Sequence, residues 1–469
     1  MAPQKTGERP EDVLAGASSL VVDSRAAKSG SVFVALRGEK TDGHHFIADA
    51  ITRGANVIVM ERPVALPEGV RGVVVPDSAR MLSRLANIFY GEPASQLMML
   101  GVTGTNGKTT TTQMIAAILN AVSMPAAVIG TLGASFDKET WPLENTTPLA
   151  HDLHALLSQL LERGAQAVAM EVSSHALALR RVADIRFRAA ALTNISRDHL
   201  DFHGTFEAYS QAKRSLFEIA DAAVFNIDDT HGKKWAAEID GPKLTYSMVS
   251  DADIVAGEIV LSESGSVFTV DGVRLNLPIP GRFNIANALA AIGIARTLGI
   301  DLHKAAAGLA TLAPVRGRME HLSGGGVNVI VDYAHTPDAL ENALRTVRET
   351  TKGKVIVVFG AGGDRDRGKR PQMGKVAAQL ADRIVITSDN PRGEEPGEIA
   401  ADIVAGIGNK PYDLILERRE AIETAIHNAA PGDVVIIAGK GHEPYQLIGK
   451  EVRAFDDRSV AQAALQARA

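Results

Sequence analysis

Gly101-Val-Thr-Gly104-Thr105-Asn106-Gly107-Lys108-Thr109-Thr110-Thr111-Thr112 decides how this 469-residue chain is read. The apolar run Leu97–Leu100 before it predicts a buried strand. The run Met114–Leu119 after it predicts a helix opened by the threonines. Strand, glycine loop, lysine with hydroxyl, then helix is the geometry that cradles a nucleotide phosphate, because backbone N–H groups of the loop and helix start point at the anion. Lys108 is placed to reach the β/γ phosphates, and the Thr109 hydroxyl to ligate Mg2+. The usual pattern wants a further glycine five residues before Gly107, where this chain has Val102. The short form Gly104–Thr109 must then carry the loop alone. The plain alternative is a glycine-rich turn with a surface lysine.

Composition bounds the rest. A chain this long exceeds one core, so two to four domains are expected. Apolar residues make up 45%, as in ordinary globular proteins, and the formal charge of −6 gives no global attraction to nucleic acid or acidic lipid. There is no cysteine, which excludes disulfides, thiolate metal sites and a cysteine nucleophile. Met1–Pro10 is polar, and no apolar run approaches the ~18 residues of a membrane span. A cytoplasmic enzyme is expected, without membrane insertion and without nucleic acid.

Taken in order, residues 1–95 predict a small α/β domain. Its strands are Ser31–Leu36, Asn56–Met60 and Gly72–Pro76, and its helices Ile47–Arg53 and Arg80–Tyr90. Ser24 before the first strand, and the loop Gly38–Gly43, read as turn chemistry or as a ligand edge. Residues 96–320 alternate strands and helices, which argues for a mainly parallel sheet. Ala165–Val172 and Arg188–Ile195 predict strands whose carboxyl ends carry Glu171 and Asn194, the edge where α/β ligands sit. Residues 253–277 alternate like an antiparallel hairpin, and helices follow near Asn284–Leu298 and Leu302–Leu309. Residues 321–469 repeat the alternation, with strands Val327–Asp332, Val355–Phe359, Ile384–Thr387 and Val434–Ala438. Helices are expected at Pro337–Glu349, Pro371–Ala381 and Arg419–Ala429.

Further stretches carry candidate chemistry. Asn145-Thr146-Thr147-Pro148 reads as a helix start or a ligand loop. Glu171-Val-Ser173-Ser-His175 offers a carboxylate suited to Mg2+. Thr193–Gly204 is dense in metal-capable groups, with His199 and His203 at zinc-like spacing but no intervening Glu of the His-Glu-x-x-His kind. Lys213, on the expected helix Phe206–Ile219, reads by itself as a solvated lysine. Three strand ends downstream carry Arg365, Asp389-Asn390-Pro391-Arg392 and Gly439–Glu443. Guanidinium forks and a carboxylate there suggest a pocket for a zwitterion. The basic run Arg365–Arg370 is open between a solvated loop and a carboxylate clamp.

Assembled, these stretches resemble the Mur ligase family over essentially the whole chain. Gly104–Thr110 belongs to the wider superfamily, which includes folylpolyglutamate synthetases. Glu171–His175, Arg197–Asp201 and Asp332-Tyr-Ala-His335 narrow it, and Asp389–Arg392 points to the diaminopimelate-adding branch. The resemblance implies an α/β chain of three domains: an N-terminal UDP-binding domain over 1–95, a central P-loop ATPase with a mainly parallel sheet over 96–320, and a Rossmann-like amino-acid-binding domain over 321–469. It implies ATP-dependent joining of meso-2,6-diaminopimelate to UDP-N-acetylmuramoyl-L-alanyl-D-glutamate through an acyl phosphate, in peptidoglycan precursor synthesis, by a monomer.

Residue roles follow the same resemblance. Ser24 and Glu39-Lys40-Thr41 match UDP-holding positions. Asn145, Thr146, Thr147, Ser173 and Arg181 match contacts to the muramoyl dipeptide. Gly104, Thr105, Asn106, Gly107, Lys108, Thr109 and Thr110 match the ATP loop, with Asn284, Arg318 and Asp332 toward the base, ribose and domain closure. Thr109, Glu171, His199 and Lys213, the last carbamylated by CO2, match the Mg2+ ligands. Lys108, Glu171, His199 and Lys213 are the implied catalytic set. Arg365, Asp389, Asn390, Pro391, Arg392, Gly439 and Glu443 match the diaminopimelate pocket. The chain departs from the family at Leu179, where Gln is common.

Overall fold

The computed structural model describes residues 4–6, 8–38 and 41–468. Glu39 and Lys40 of the expected UDP loop lie outside them. The chain forms two compact units. The first takes the described residues up to Thr103, with Ser123–Ala190 and Ala212–Ala223. The second takes Gly104–Val122, Ala191–Gln211 and the chain from Val224 onward.

In the first unit a five-stranded sheet runs in the order Gln4–Thr6, Arg71–Val74, Ala55–Met60, Ser31–Val34, Ser19–Val21, with every pair parallel. Ser31–Val34 is buried throughout, as a continuous apolar run covered on both faces must be. The helix Ser78–Phe89 starts where the Asp77 side chain accepts from the Arg80 N–H at 2.8 Å. Its apolar stripe, Leu82, Leu85 and Ala86, is buried, and it packs on the helix Ala150–Glu162. From the same helix Arg84 and Asn87 hold Asp184 at 3.2 and 2.8 Å. The same unit pairs Met98–Thr103 with Ala167–Glu171, and that strand with Ala126–Gly130, all parallel. Gly133–Phe136 and Glu139–Trp141 extend it antiparallel. A Cβ on Gly101 would stand 3.0 Å from the Phe187 ring, which explains a glycine mid-strand.

In the second unit the helices Lys108–Ala121, Arg282–Thr297 and Leu302–Ala310 pack together. Within the expected antiparallel hairpin extension, Gly257–Ser262, Gly265–Val270 and Val273–Leu277 form a three-stranded antiparallel sheet. Both Ser262–Gly265 and Asp271-Gly272 are turns, so two turns make three strands. The expected helix Phe206–Ile219 is α-helical only over Phe206–Arg214 and continues as a 3-10 turn, Ser215–Ile219.

A six-stranded sheet follows in the order Glu320–Gly324, Val327–Asp332, Val434–Ala438, Val355–Phe359, Arg383–Ile386, Asp413–Leu414. All its pairs are parallel except the first. Two apolar clusters cover its faces, one around Leu340, Phe359 and Met373, the other around Ile356, Ile422 and Ile437. Parallel pairing brings the carboxyl ends of Val327–Asp332, Val434–Ala438, Val355–Phe359 and Arg383–Ile386 to one edge, side by side.

The basic run after Val355–Phe359 divides. Arg365 and Arg367 stay exposed, while Arg370, wholly buried at the start of the helix Arg370–Leu380, is a carboxylate clamp. It donates to both oxygens of Glu394 at 2.9 and 3.0 Å and to Asp402 at 2.9 Å. These bonds hold the Glu394 carboxyl at about 2, below its ordinary 4.5. A lowered folded-state pKa stabilises above the ordinary value and loses that stabilisation as pH falls through the folded one. Arg370→Met should therefore lower the melting temperature most above about pH 5, and the gap to wild type should narrow toward about pH 2. Thermal melts across that range check it.

Candidate active site

The phosphate loop is built from glycines that no other residue can replace. The strand Met98–Thr103 ends, Gly104–Gly107 turns, and the helix begins at Lys108. Gly104 and Gly107 hold φ of 147° and 87°, and a Cβ would lie 1.9 Å from Thr193 Oγ1 or 2.2 Å from Asn287 Oδ1. Val102, where the usual pattern has its first glycine, lies inside the strand and is wholly buried. The loop proper starts two residues later, so an apolar residue there costs nothing.

The loop is pinned from neighbouring residues of the second unit. Asn194 donates its Nδ2 to the Asn106 carbonyl at 3.2 Å and accepts the Asn106 N–H on Oδ1 at 3.0 Å. Thr105 Oγ1 lies 2.8 Å from the Tyr209 hydroxyl and accepts the Ser196 N–H at 2.9 Å. Lys108 Nζ donates to the loop's own carbonyls, Gly104 at 2.9 Å and Thr105 at 2.8 Å. Arg318 donates to Thr109 Oγ1 at 3.0 Å and stacks over Tyr333 at 4.6 Å, while its Nε is buried without a partner. Thr110 is buried on the helix behind them. Asn106 Nδ2 reaches Asp338 at 2.7 Å, tying the loop to the start of the helix Pro337–Thr350.

Asn284 and Asp332 serve the frame around the loop. Asn284 donates to the Pro280 carbonyl at 2.7 Å and accepts from Asn287 at 3.2 Å, so Asn287, which the sequence reading missed, sits between it and Gly107. Asp332 accepts the Met319 and Ala334 N–H groups at 2.7 and 2.8 Å, and burial raises its pKa against the opposing charge of Arg318.

Asp198 is the electrostatic centre of this region. Burial alone would raise its carboxyl, but interactions with His199, His335, Lys369 and Lys108 hold it at about 2. His335 is itself pushed down to about 4 by burial and by Lys369. His199 has a left-handed φ of 52° and caps the four-residue helix Leu200–His203. His199 and His203 therefore do not share one regular helix, and among the described residues no three His, Cys, Asp or Glu side chains form a metal-holding group. The zinc alternative has no support.

The first unit carries the other candidates. Glu171 is 1% exposed at its strand end. Each oxygen takes one donor: Oε1 the Thr131 N–H at 2.8 Å, Oε2 the Thr131 hydroxyl at 3.1 Å. Gly130 leaves room for it, since a Cβ there would lie 2.2 Å from Oε1. Thr147 Oγ1 donates to the Glu171 carbonyl at 2.8 Å and accepts the Ser173 N–H at 3.1 Å. Thr146 Oγ1 lies 3.1 Å from Thr131 Oγ1, and Arg181 donates to the Thr147 carbonyl at 2.8 Å with its Nε buried and unpartnered. The structure thus gathers Thr146, Thr147, Glu171, Ser173 and Arg181, with Asn145 exposed beside them. Lys213 is 2% exposed, so it is no solvated lysine. Ser24 is buried in the turn Ser24–Ala26, and Thr41 is exposed.

At the far sheet edge of the second unit, Asp389 and Asn390 are buried. Asn390 donates to Glu443 Oε2 at 2.8 Å, and the wholly buried Lys440 donates to the same oxygen at 3.1 Å and to Asn390 Oδ1 at 3.0 Å. A Cβ on Gly439 would lie 2.3 Å from Asp389 Oδ2. Pro391 is buried, and Arg392, with a left-handed φ of 51°, donates to the Gly363 carbonyl at 2.9 Å. Arg365 departs from expectation: its side chain is 48% exposed, 3.9 Å from Asp201, because the glycine loop carries it outward.

Three family models match this geometry: the Mur ligase middle domain over residues 102–295, the Mur ligase glutamate ligase domain over 317–441, and the Mur ligase family catalytic domain over 17–90. A Bacillus cereus protein named UDP-N-acetylmuramoyl-L-alanyl-D-glutamate–2,6-diaminopimelate ligase is 42% identical over 465 residues, covering 96% of this chain and 94% of its own. The chain belongs to the Mur ligase family. A Gloeobacter violaceus protein of the same name is 45% identical, over 99% of this chain and 96% of its own. A solved structure of a ligase with that name is 35% identical, covers 96% of this chain and 95% of its own, and superposes with a TM-score of 0.68. A Thermotoga maritima MurF ligase solved with ADP, 21% identical with a TM-score of 0.68 over 98% of this chain and 100% of its own, shares the fold. This Mur ligase therefore has the family's three α/β domains, N-terminal, middle and C-terminal.

Sequence reading missed Tyr209, Asn287 and Asp338, which are spread across the chain in no common motif, and gave no separate role to Lys440 within the Gly439–Glu443 stretch. Gly107→Ala tests the loop geometry. It should abolish measurable ATP binding by calorimetry while costing about 1–3 kcal/mol of stability, since an L side chain is strained at this φ and meets Asn287.

Proposed function

We propose that this Mur ligase joins meso-2,6-diaminopimelate to UDP-N-acetylmuramoyl-L-alanyl-D-glutamate at the expense of ATP, in peptidoglycan precursor synthesis. The observation that carries this is the pair of strand ends on one edge of the C-terminal sheet, either side of Val355–Phe359, presenting Asp389–Arg392 and Gly439–Glu443. The names of relatives 42–45% identical over nearly the whole chain agree with it. We take the functional divisions as 1–95 for UDP, 96–320 for ATP and 321–469 for the amino acid, working as a cytoplasmic monomer. No described helix is long and apolar enough to cross a membrane.

A carboxylate is a poor acylating agent, and phosphorylation supplies its leaving group. The γ-carboxylate of the D-glutamyl end attacks the γ-phosphorus of ATP, and the bond to ADP breaks. The diaminopimelate amine then attacks the acyl carbon, phosphate leaves, and the amine loses its proton. The protein's part is to position these groups and neutralise charge. The N–H groups of Gly107–Thr110 and the Lys108 ammonium hold the phosphates, while Asn194 keeps those of Thr105 and Asn106. The unpartnered Nε of Arg318 and its contact to Thr109 set it toward the same anion. Asn284 and Asp332 hold the nucleotide side in place. Thr146, Thr147, Ser173 and Arg181, with Asn145 beside them, receive the muramoyl dipeptide. Ser24 and the Glu39–Thr41 loop receive the UDP end.

Magnesium suits the donors present. Thr109 offers a hydroxyl at a helix start, and each Glu171 oxygen keeps a lone pair beyond its one donor. His199 and Lys213 complete the set, Lys213 as its carbamate, because a buried ammonium cannot ligate a cation and a carbamate can. Bound Mg2+ would offset phosphate charge during transfer.

Selectivity comes from charge at the distal end of the amino acid. Diaminopimelate ends in an amino acid head and lysine in a bare ammonium. Arg392 and Glu443 match the former's carboxylate and ammonium, with Asp389, Asn390, Pro391 and Gly439 shaping the pocket. The exposed Arg365 contributes less than Arg392, since water screens it. Lysine should be a very poor substrate, with kcat/KM at least about 100-fold lower, because it leaves Arg392 unpaired. Arg392→Ala should raise the KM for diaminopimelate far more than that for ATP.

A coupled ADP-release assay, with and without the muramoyl dipeptide and diaminopimelate, tests the whole reading. Release that needs both substrates supports it. Release with a folate acceptor and glutamate would indicate a folylpolyglutamate synthetase activity, and release needing no amino acid a phosphate-loop switch. Comparable kcat/KM for lysine and diaminopimelate would sink the amino acid assignment.

A further inference from the structure

The pocket residues leave the sheet beyond two strand ends that are joined only through a third strand, so no direct ladder links the two exits. Val434–Ala438 and Arg383–Ile386 are not neighbours: Val355–Phe359 lies between them. Strands two apart stand roughly 10 Å from each other and share no hydrogen bonds. Beyond their ends the chain leaves the sheet as Ser388-Asp389 and Gly439-Lys440, the residues that wall the amino acid pocket.

One side chain ties both exits. Arg418, the first residue of the helix Arg418–His427, is wholly buried. Its NH1 donates to the Ser388 carbonyl at 3.2 Å and its NH2 to the Ala438 carbonyl at 3.0 Å. Its Nε and NH2 also form a fork on Asp457, both bonds 2.7 Å, and Asp457 is itself wholly buried. Asp457 opens the helix Asp457–Gln466, so the guanidinium is aimed from two rigid elements. Each tied carbonyl is one bond away from a pocket residue, Asp389 in one case and Gly439 in the other. These two press together, with no room for a Cβ between Gly439 and the Asp389 carboxylate, and Arg418 NH2 lies 3.9 Å from that same point. A guanidinium has five N–H donors in a fixed plane, and only such a group reaches two carbonyls and a carboxylate at once.

We propose that Arg418, held by Asp457, is a positioning residue for the amino acid pocket: it sets the separation of the Asp389 and Gly439 walls without touching substrate. This rests on the diaminopimelate reading above. The ion pair does two separable things, one for the fold and one for the pocket. Removing Arg418 alone leaves a buried carboxylate unpaired, which destabilises the protein. Replacing both partners by apolar residues restores the fold but not the ties to the two carbonyls.

The test compares wild type, Arg418→Lys, Arg418→Met and the double variant Arg418→Met with Asp457→Leu, by thermal melting and by ADP release. The double variant should melt within a few degrees of wild type, while its KM for diaminopimelate rises about tenfold or more and its KM for ATP stays within about twofold. Arg418→Lys keeps a charge opposite Asp457 yet cannot span both carbonyls. It should show the same split, and it decides the question if the double variant does not reach a native melt. A variant that melts natively with a wild-type KM for diaminopimelate overturns the inference. So does a parallel rise in both KM values, which a merely structural role would give. A wild type whose ADP release ignores diaminopimelate overturns the pocket reading, and this inference with it.

Discussion

The constraint on which the phosphate site depends is the absence of space for a Cβ atom at Gly104 and Gly107. Thr193 and Asn287 occupy that space, one from the end of a neighbouring strand and one from the helix Arg282–Thr297. Their closeness does two things at once. It bends the chain sharply between strand and helix, and it braces the loop against elements far away in sequence. Lys108 then folds back onto the loop carbonyls, and Asn106 and Thr109 reach the segments that lead into the C-terminal sheet. The loop is a rigid fixture, and rigidity is what electrostatic stabilisation of a transferring phosphoryl group requires.

Charge is handled differently at the two ends of the second unit. Around the loop, Asp198 stands near two lysines and two imidazoles and stays ionised in spite of burial. At the amino acid end, buried cations are held by specific carboxylates: Lys440 by Glu443, Arg370 by Glu394 and Asp402, Arg418 by Asp457. Such pairs contribute little net stability, because desolvation offsets most of the attraction. What they provide is geometry. Each fixes a loop or strand exit that the sheet's own hydrogen bonds leave undetermined.

Much of the fold was legible from local pattern. The strands Val327–Asp332, Val355–Phe359 and Val434–Ala438 fall where continuous apolar runs predict them, since a strand buried on both faces has to be apolar throughout. Short or mixed strands escaped, such as Ser19–Val21 and Glu139–Trp141, because three residues carry no period. The antiparallel extension over 253–277 was legible because its alternation is broken by two turn signals, Ser262–Gly265 and Asp271-Gly272.

The site divides along the same line. Glycine spacing, a lysine before threonines, and carboxylates or guanidiniums at strand ends are local signals, and the sequence by itself determined the phosphate loop, Glu171, the Asp389–Arg392 edge and the family that these motifs resemble. Tertiary structure alone decided that Lys213 is buried and Arg365 exposed, and that Val102 belongs to a strand. It alone brought Tyr209, Asn287 and Asp338 to the loop and Arg418 to the pocket walls. The reason is physical: a side chain's burial and partners depend on contacts between residues tens to hundreds of positions apart, and no local period or spacing encodes them.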